Sequence, residues 1–318
     1  MLEIILNIFY FVIAFYILTK AADLFIDEAS NLGKHYGMSK LMIGLTIVAV
    51  GTSLPEAITS FSSILFSEEF SEFIIGTTMG SNTTNILLAF GLFLVATGKF
   101  TIKHKEAFNV FALLSTSLVF AAFVIAGFVN YFAILLFIFY LYYIYYLKKH
   151  QRKEFTQLEE ETVENLKPHS VKKSYILLLV AFVGLFASSK LAIFSIENIG
   201  VLLSIPVAYL TLTTISVATS LPEIAVTIAS AKKKEYLIGI GNILGTNVMN
   251  IGIIIGLSGF MGYYAINTSL YINSLIFFLL GTVIFATMVY TKKFYKLAGY
   301  GFLALYVLYI TSFFLAFV

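Results

Sequence analysis

The 318-residue chain contains no cysteine, which removes disulfides, thiolate metal centres and cysteine nucleophiles together. Tryptophan is also absent, so an aromatic belt at a membrane interface has to come from the 20 Tyr and 32 Phe. Charge is scarce: Asp, Glu, Lys and Arg make up 12% of the residues, about half the roughly 25% of a soluble domain. That is too little to coat a water-facing surface. A soluble enzyme, a secreted disulfide scaffold and a disordered chain are excluded. The net charge of +3 gives no reason to expect nucleic acid, and nothing in the composition calls for a resident cofactor or an obligate protein partner.

What is present is apolar. Hydrophobic residues make up 59% of the chain and the mean hydropathy is +0.94. At roughly 20 residues per crossing, such a chain holds about ten membrane spans with short connections. Apolar runs between polar punctuation place them at 2–25, 39–65, 73–97, 107–126, 129–147, 174–196, 206–230, 237–261, 269–290 and 297–317. The first run has no basic residue before it and no small-residue cleavage site after it, so it reads as a retained helix rather than a signal peptide.

The basic residues test this partition. Eighteen of the 20 Lys and Arg fall on odd-numbered connections, and the even-numbered ones hold none. The connection after span two is instead acidic, with Glu68, Glu69 and Glu72. Cytoplasmic loops concentrate Lys and Arg. The expected topology is therefore a multi-pass cell-membrane protein with both termini extracytoplasmic and the long polar loop 148–173 cytoplasmic. The other two lysines, Lys20 and Lys190, lie within spans one and six, and both are expected to snorkel to an interface as anchors.

The chain repeats itself. GTSLPE at 51–56 recurs as ATSLPE at 218–223, and GTTMGSNTTN at 76–85 recurs as GNILGTNVMN at 241–250. The predicted fold is thus an all-α polytopic membrane protein of ten transmembrane helices, built as two inverted five-helix repeats, 1–147 and 174–318. Five is odd, so matching spans cross in opposite directions, as in transporters that hold their substrate near mid-membrane.

Two acidic residues fall in the middle of spans, Glu56 and Glu223. A carboxylate at that depth costs about 2.5–3.5 kcal/mol on insertion scales, and no mid-membrane Lys or Arg is expected to neutralise the pair. A cation is. Pro55 and Pro222 precede the two glutamates, and because proline removes a helical donor, carbonyls near Ala49 to Thr52 and Ser216 to Thr219 are expected to leave the ladder. Ser81 and Asn85 share one helix face, as do Thr246 and Asn250. Asn82 and Asn247 lie on another, where hydrogen bonds to neighbouring helices are expected. The glycines Gly76, Gly80, Gly241 and Gly245 are expected to let helices approach closely. Together with hydroxyls of Thr52, Ser53, Thr219 and Ser220, these residues form an all-oxygen donor set suited to a hard cation such as Ca²⁺. All four His lie on the basic-side connections, which disfavours transition metals. A channel lined by the same residues is a rival. An intramembrane hydrolase using Ser53 or Ser220 lacks an in-span base.

The paired motifs resemble the two alpha-repeats of sodium/calcium exchangers, here 44–92 and 211–257. The resemblance implies an antiporter, not an enzyme, that exchanges Na⁺ for Ca²⁺ by alternating access as helices one and six slide across the core. It implies Glu56 and Glu223 as shared Ca²⁺ ligands with the carbonyls of Thr52 and Thr219, and Ala49, Ser53, Ser81, Ser216, Ser220 and Thr246 at sodium sites. Asn85 matches the family's amide position. Asn250 stands where several members carry aspartate, so it keeps an acceptor oxygen but cannot ionise. A proton- or K⁺-coupled antiporter of Ca²⁺ or another divalent cation is the alternative. Connection 148–173 is too short for the regulatory domains of animal exchangers, which implies a minimal microbial type.

Overall fold

The computed structural model describes residues 2–66, 70–102, 106–150, 170–203 and 220–316. They form helices almost throughout, because a segment surrounded by lipid must satisfy its own backbone donors and acceptors. Helices α1 (Leu2–His35) and α8 (Val171–Leu202) open the two halves and lie against each other along their length. They have 34 and 32 residues, about 50 Å each at about 1.5 Å per residue, against a hydrocarbon layer of about 30 Å. Both outrun the expected spans 2–25 and 174–196. In α1 the reason is visible: the helix continues through Asp27 and Glu28 because each has a partner. Lys233 Nζ lies 2.8 Å from Asp27 Oδ1, and Asn31 donates to Glu28 Oε2 at 3.1 Å.

The second span comprises α2 (Lys40–Ile43), a π-helical segment at Gly44–Val48 and α3 (Ala49–Phe66). Ser39 caps it by accepting from the Met42 amide at 2.8 Å. The third span follows the same plan, with α4 (Phe70–Thr84), a π segment at Asn85–Ala89 and α5 (Phe90–Thr97). Then come α6 (Ala107–Ala126) and α7 (Ile134–His150). After α8, the second half has α9 (Leu221–Lys232), α10 (Tyr236–Met249), a π segment at Asn250–Ile255, α11 (Gly256–Ser258), α12 (Thr268–Thr291) and α13 (Lys296–Ala316).

Eight helices among the described residues are long and apolar enough to cross a membrane. Helix α13 takes the place of the tenth expected span. Of the seventh, 206–219 lies outside the described residues and α9 supplies the rest. Two short ribbons keep the connections sorted by side. Strand β1 (Phe100–Thr101) on the third connection pairs with β4 (Lys293–Phe294) on the ninth, and β2 (Phe128–Val129) on the fourth pairs with β3 (Tyr264–Ala265) on the eighth. Odd meets odd and even meets even. The ion pair of Lys40 with Glu235 at 2.9 Å obeys the same parity, joining the first connection to the seventh.

Two hydrophobic cores hold the bundle. The larger centres on Phe90, whose ring meets those of Phe285 at 4.5 Å and Phe302 at 5.2 Å. The smaller attaches α1 and α8 through Phe25, Ile26, Ala181 and Leu185 to Ile43, Val48, Val226 and Ala229. The long pair is therefore a separate layer on the side of an eight-span body.

Candidate cation site

Glu56 projects from α3 and Glu223 from the first turn of α9; the two are 4% and 1% exposed. The position of Glu223 is favourable in itself, because the N-terminal end of a helix attracts negative charge. Pro222 also sits in that first turn, where its missing N–H disturbs no helical bond. In the first repeat the chain behaves differently from expectation. Helix α3 runs on through Pro55, and the irregular backbone is the π segment at Gly44–Val48, just upstream of Ala49. One reason is local: the Thr52 hydroxyl, 3.2 Å from the Val48 carbonyl and 3.4 Å from that of Ala49, holds the preceding turn together.

The serines cross-link the repeats. Ser53, one turn before Glu56, donates to Glu223 Oε1 at 3.1 Å, and Ser81 on α4 donates to Glu56 Oε1 at 2.8 Å. Ser220, one turn before Glu223, reaches Ser81 Oγ at 3.4 Å. Two sets of buried bonds, one on each carboxylate, therefore interleave across α3, α4 and α9.

Helix α10 completes the set on Glu56. The Asn250 amide nitrogen lies 3.0 Å from Glu56 Oε2, 3.3 Å from Ser81 Oγ and 3.1 Å from Asn82 Oδ1. With acceptors on every side, the amide must present its nitrogen there. Asn82 in turn donates to the Asn247 carbonyl at 3.1 Å, which is the interhelical bond expected of it, whereas Asn247 bonds its own helix at Ile243. Glycines make this closeness possible. A Cβ on Gly241 would stand 2.6 Å from the Leu41 carbonyl oxygen, and one on Gly245 2.6 Å from that of Leu45. Gly76 is different, since a Cβ there meets only the Tyr271 hydroxyl, at 3.6 Å.

Asn85 and Asn250 each begin a π segment. Such bulges re-aim side chains and recur at functional sites. Buried oxygens with no hydrogen-bond partner among the described residues include Glu223 Oε2, Asn250 Oδ1, Asn85 Oδ1, one turn after Ser81, and Thr246 Oγ1, one turn before Asn250. Orphaned acceptors of this kind are costly unless something electropositive meets them. No cluster of three or more His, Cys, Asp or Glu occurs among the described residues, so the donor set is two carboxylates surrounded by amides and hydroxyls. That is hard-cation chemistry.

Of the sequence-derived site residues, Ser53 bonds Glu223, Ser81 and Asn250 bond Glu56, and Ser220 reaches Ser81; Thr52 bonds Glu223 and lines the Glu56 cavity, and Ala49 stands one turn before Ser53 on α3. Asn85 and Thr246 are buried with unpartnered oxygens. Thr219 and Ser216 lie outside the described residues. Sequence reasoning passed over Asn242, whose oxygen is 3.4 Å from the Thr52 hydroxyl and whose nitrogen donates to Thr227 at 3.0 Å, tying α3, α9 and α10 together. A buried amide inside a repeated motif was the available signal. Lys190, an exposed residue, lines with Thr52, Glu56, Thr77 and Pro222 a cavity of about 150 Å³.

Comparison with known proteins gives the fold and the family. The chain is 28% identical to the inner membrane protein YrbG of Escherichia coli, over 86% of its own length and 85% of that protein. Identity to the sodium/calcium exchanger MaX1 of Methanosarcina acetivorans is 40% over a shorter stretch, 24% of this chain and 21% of that one. The sodium-calcium exchanger NCX_Mj has the same fold, with a TM-score of 0.81 at 24% identity over 97% of this chain and 99% of that one. The family described as sodium/calcium exchanger protein matches residues 6–149 and 173–315, and the chain belongs to that family of multi-pass membrane transporters.

Proposed function

We propose that the protein is a secondary active antiporter that exchanges Na⁺ for Ca²⁺ by alternating access, with Glu56 and Glu223 holding the ions at mid-membrane. The observation that carries this reading is the interleaving of the two buried carboxylates, Ser53 of α3 bonding Glu223 while Ser220, one turn before Glu223, reaches the Ser81 that holds Glu56, together with the unpartnered oxygens of Glu223 Oε2, Asn85 Oδ1, Thr246 Oγ1 and Asn250 Oδ1. Ca²⁺ takes about 6–8 oxygen ligands. Two ionised carboxylates match its charge, and the hydroxyls and amides, with carbonyls near Thr52 and Thr219, supply the remaining oxygens. Sodium draws on the same atoms, with Ala49, Ser53, Ser81, Ser216, Ser220 and Thr246, so the two ions compete.

The repeats 1–147 and 174–318 are the two structural units, and the α1–α8 pair, attached through its own small core, is the element that slides to expose the site first on one face and then on the other. Both termini are extracytoplasmic and the loop 148–173 cytoplasmic; an inward Na⁺ gradient drives Ca²⁺ export.

The test is Ca²⁺ uptake by Na⁺-loaded proteoliposomes diluted into Na⁺-free buffer, in the parent and in a Glu56→Gln, Glu223→Gln double variant. The expected result is uptake that requires the Na⁺ gradient and vanishes in the double variant. Uptake driven instead by a K⁺ or pH gradient assigns the coupling to that ion. Full activity in the double variant overturns the site.

A further inference from the structure

We propose that Lys190 is a tethered cation at the approach to Glu56 and sets how strongly that face of the protein binds incoming ions. The proposal rests on the reading of Glu56 as an ion ligand and adds a residue that repels.

The placement of the side chain carries it. Lys190 lies on α8, 12 residues before Leu202 and 19 after Val171, so the nearer membrane surface is at the C-terminal end of the helix. A snorkelling lysine would extend that way. Lys190 does the opposite: its ammonium stands 4.8 Å from the ring centroid of Phe186, one turn back toward the middle of the helix. Phe186 lines the same cavity as Lys190 and Glu56. The cavity runs from Thr52 and Pro222 toward Phe73, near the start of α4, and so faces the even-connection side. Lys20, on α1, lines neither this cavity nor the one on the other side.

The repeat sharpens the point. The offset of 167 that carries Gly51 to Ala218 carries Asp23 to Lys190, with Ala22-Asp23-Leu24 matching Ser189-Lys190-Leu191. Asp23 lines a cavity of about 90 Å³ between α1 and α9, running from Leu221 to Lys232 on the basic side. One half therefore carries an anion at the position where the other carries a cation, and only the cation shares a cavity with a site glutamate. An inverted repeat would otherwise present two equivalent faces. Coulomb repulsion scales with the charge of the visitor, so Lys190 disfavours Ca²⁺ about twice as strongly, in free energy, as Na⁺. On the face where Ca²⁺ leaves, this assists release.

The experiment compares the half-saturating Ca²⁺ concentration in right-side-out and inverted membrane vesicles for the parent, Lys190→Met and Lys190→Arg. Methionine keeps the length of the stem and removes the charge; arginine keeps the charge and controls for folding. In the vesicle orientation that exposes the Lys190 cavity, Lys190→Met is expected to lower half-saturating Ca²⁺ about tenfold and half-saturating Na⁺ about threefold, as the charge scaling requires. The other orientation is expected to be unchanged, with Lys190→Arg matching the parent in both. No shift in Lys190→Met, an equal shift in both orientations, or the same shift in Lys190→Arg overturns the proposal. Calorimetric Ca²⁺ titration of purified Glu56→Gln separates the two readings: retained binding sinks the site itself, whereas lost binding alongside an inert Lys190→Met sinks only the role of Lys190.

Discussion

The side-chain amide of Asn250 donates to Glu56 Oε2 at 3.0 Å, while its repeat counterpart Asn85 has neither amide atom partnered among the described residues. The two halves of the site are thus chemically unequal despite their matching residues. Glu56 is held by Ser81 and Asn250, whereas Glu223 accepts from Ser53 on one oxygen and presents the other to the site. An aspartate at position 250 would put a second carboxylate against Glu56, and two carboxylates so close do not both stay ionised without a cation or a shared proton. Asn250→Asp is therefore expected to bring proton competition. Its Ca²⁺ uptake should fall more steeply than the parent's between about pH 8 and about pH 6. Proteoliposome uptake at a series of pH values measures this, and parallel profiles for parent and variant would contradict it.

Ser81 is the hub of the network. Its hydroxyl donates to Glu56 and lies within reach of Asn250 and Ser220. Ser81→Ala leaves three buried polar groups short of a partner, at a cost of about 1–3 kcal/mol. The variant should melt at a lower temperature in detergent. It should also gain less from added Ca²⁺ than the parent does, since a bound ligand stabilises in proportion to its affinity. Thermal melts with and without Ca²⁺ read both effects.

The glutamates were legible in the sequence because two acids inside apolar runs, at matched places in a repeat, have few bland explanations. Their partners were legible only as residue types. Which serine serves which glutamate depends on how the helices meet: the Ser53 bond crosses to Glu223 of the other repeat, whereas the Ser81 bond to Glu56 stays within the first, and no spacing along one chain reports that. The π segments at Asn85 and Asn250 were invisible for a related reason: one extra residue in a turn hardly disturbs an apolar pattern that is hydrophobic on all sides. The place of Lys190 beside the Glu56 cavity was not legible, because depth in a span says nothing about the direction of a side chain.

The approach of α10 to the second span depends on bare backbone. A Cβ on Gly245 would lie 2.6 Å from the Leu45 oxygen and 2.8 Å from the Ala49 Cβ, atoms that cannot swing away. Gly245→Ala is expected to push α10 from the Ala49 turn and weaken Ca²⁺ binding together with thermal stability. Gly301→Ala is the control, because a Cβ there meets nothing within 4 Å, and its effect should stay within about 1 kcal/mol, the helix-propensity difference between the two residues. Comparing the melts of the two variants separates backbone crowding from a general intolerance of alanine.

The absence of cysteine makes the membrane orientation directly measurable. Asn267 is exposed on the eighth connection beside the β2–β3 ribbon, and Tyr295 is exposed on the ninth beside the β1–β4 ribbon. The ribbons join connections of like parity, so these two positions lie on opposite faces. The excess of Lys and Arg on odd connections predicts a cytoplasmic Tyr295. In intact cells, a membrane-impermeant maleimide should label Asn267→Cys and spare Tyr295→Cys until the membrane is permeabilised. The reverse pattern would invert the orientation and leave the fold intact, whereas labelling of both in sealed cells would break the pairing of connections by side on which the ten-span reading depends.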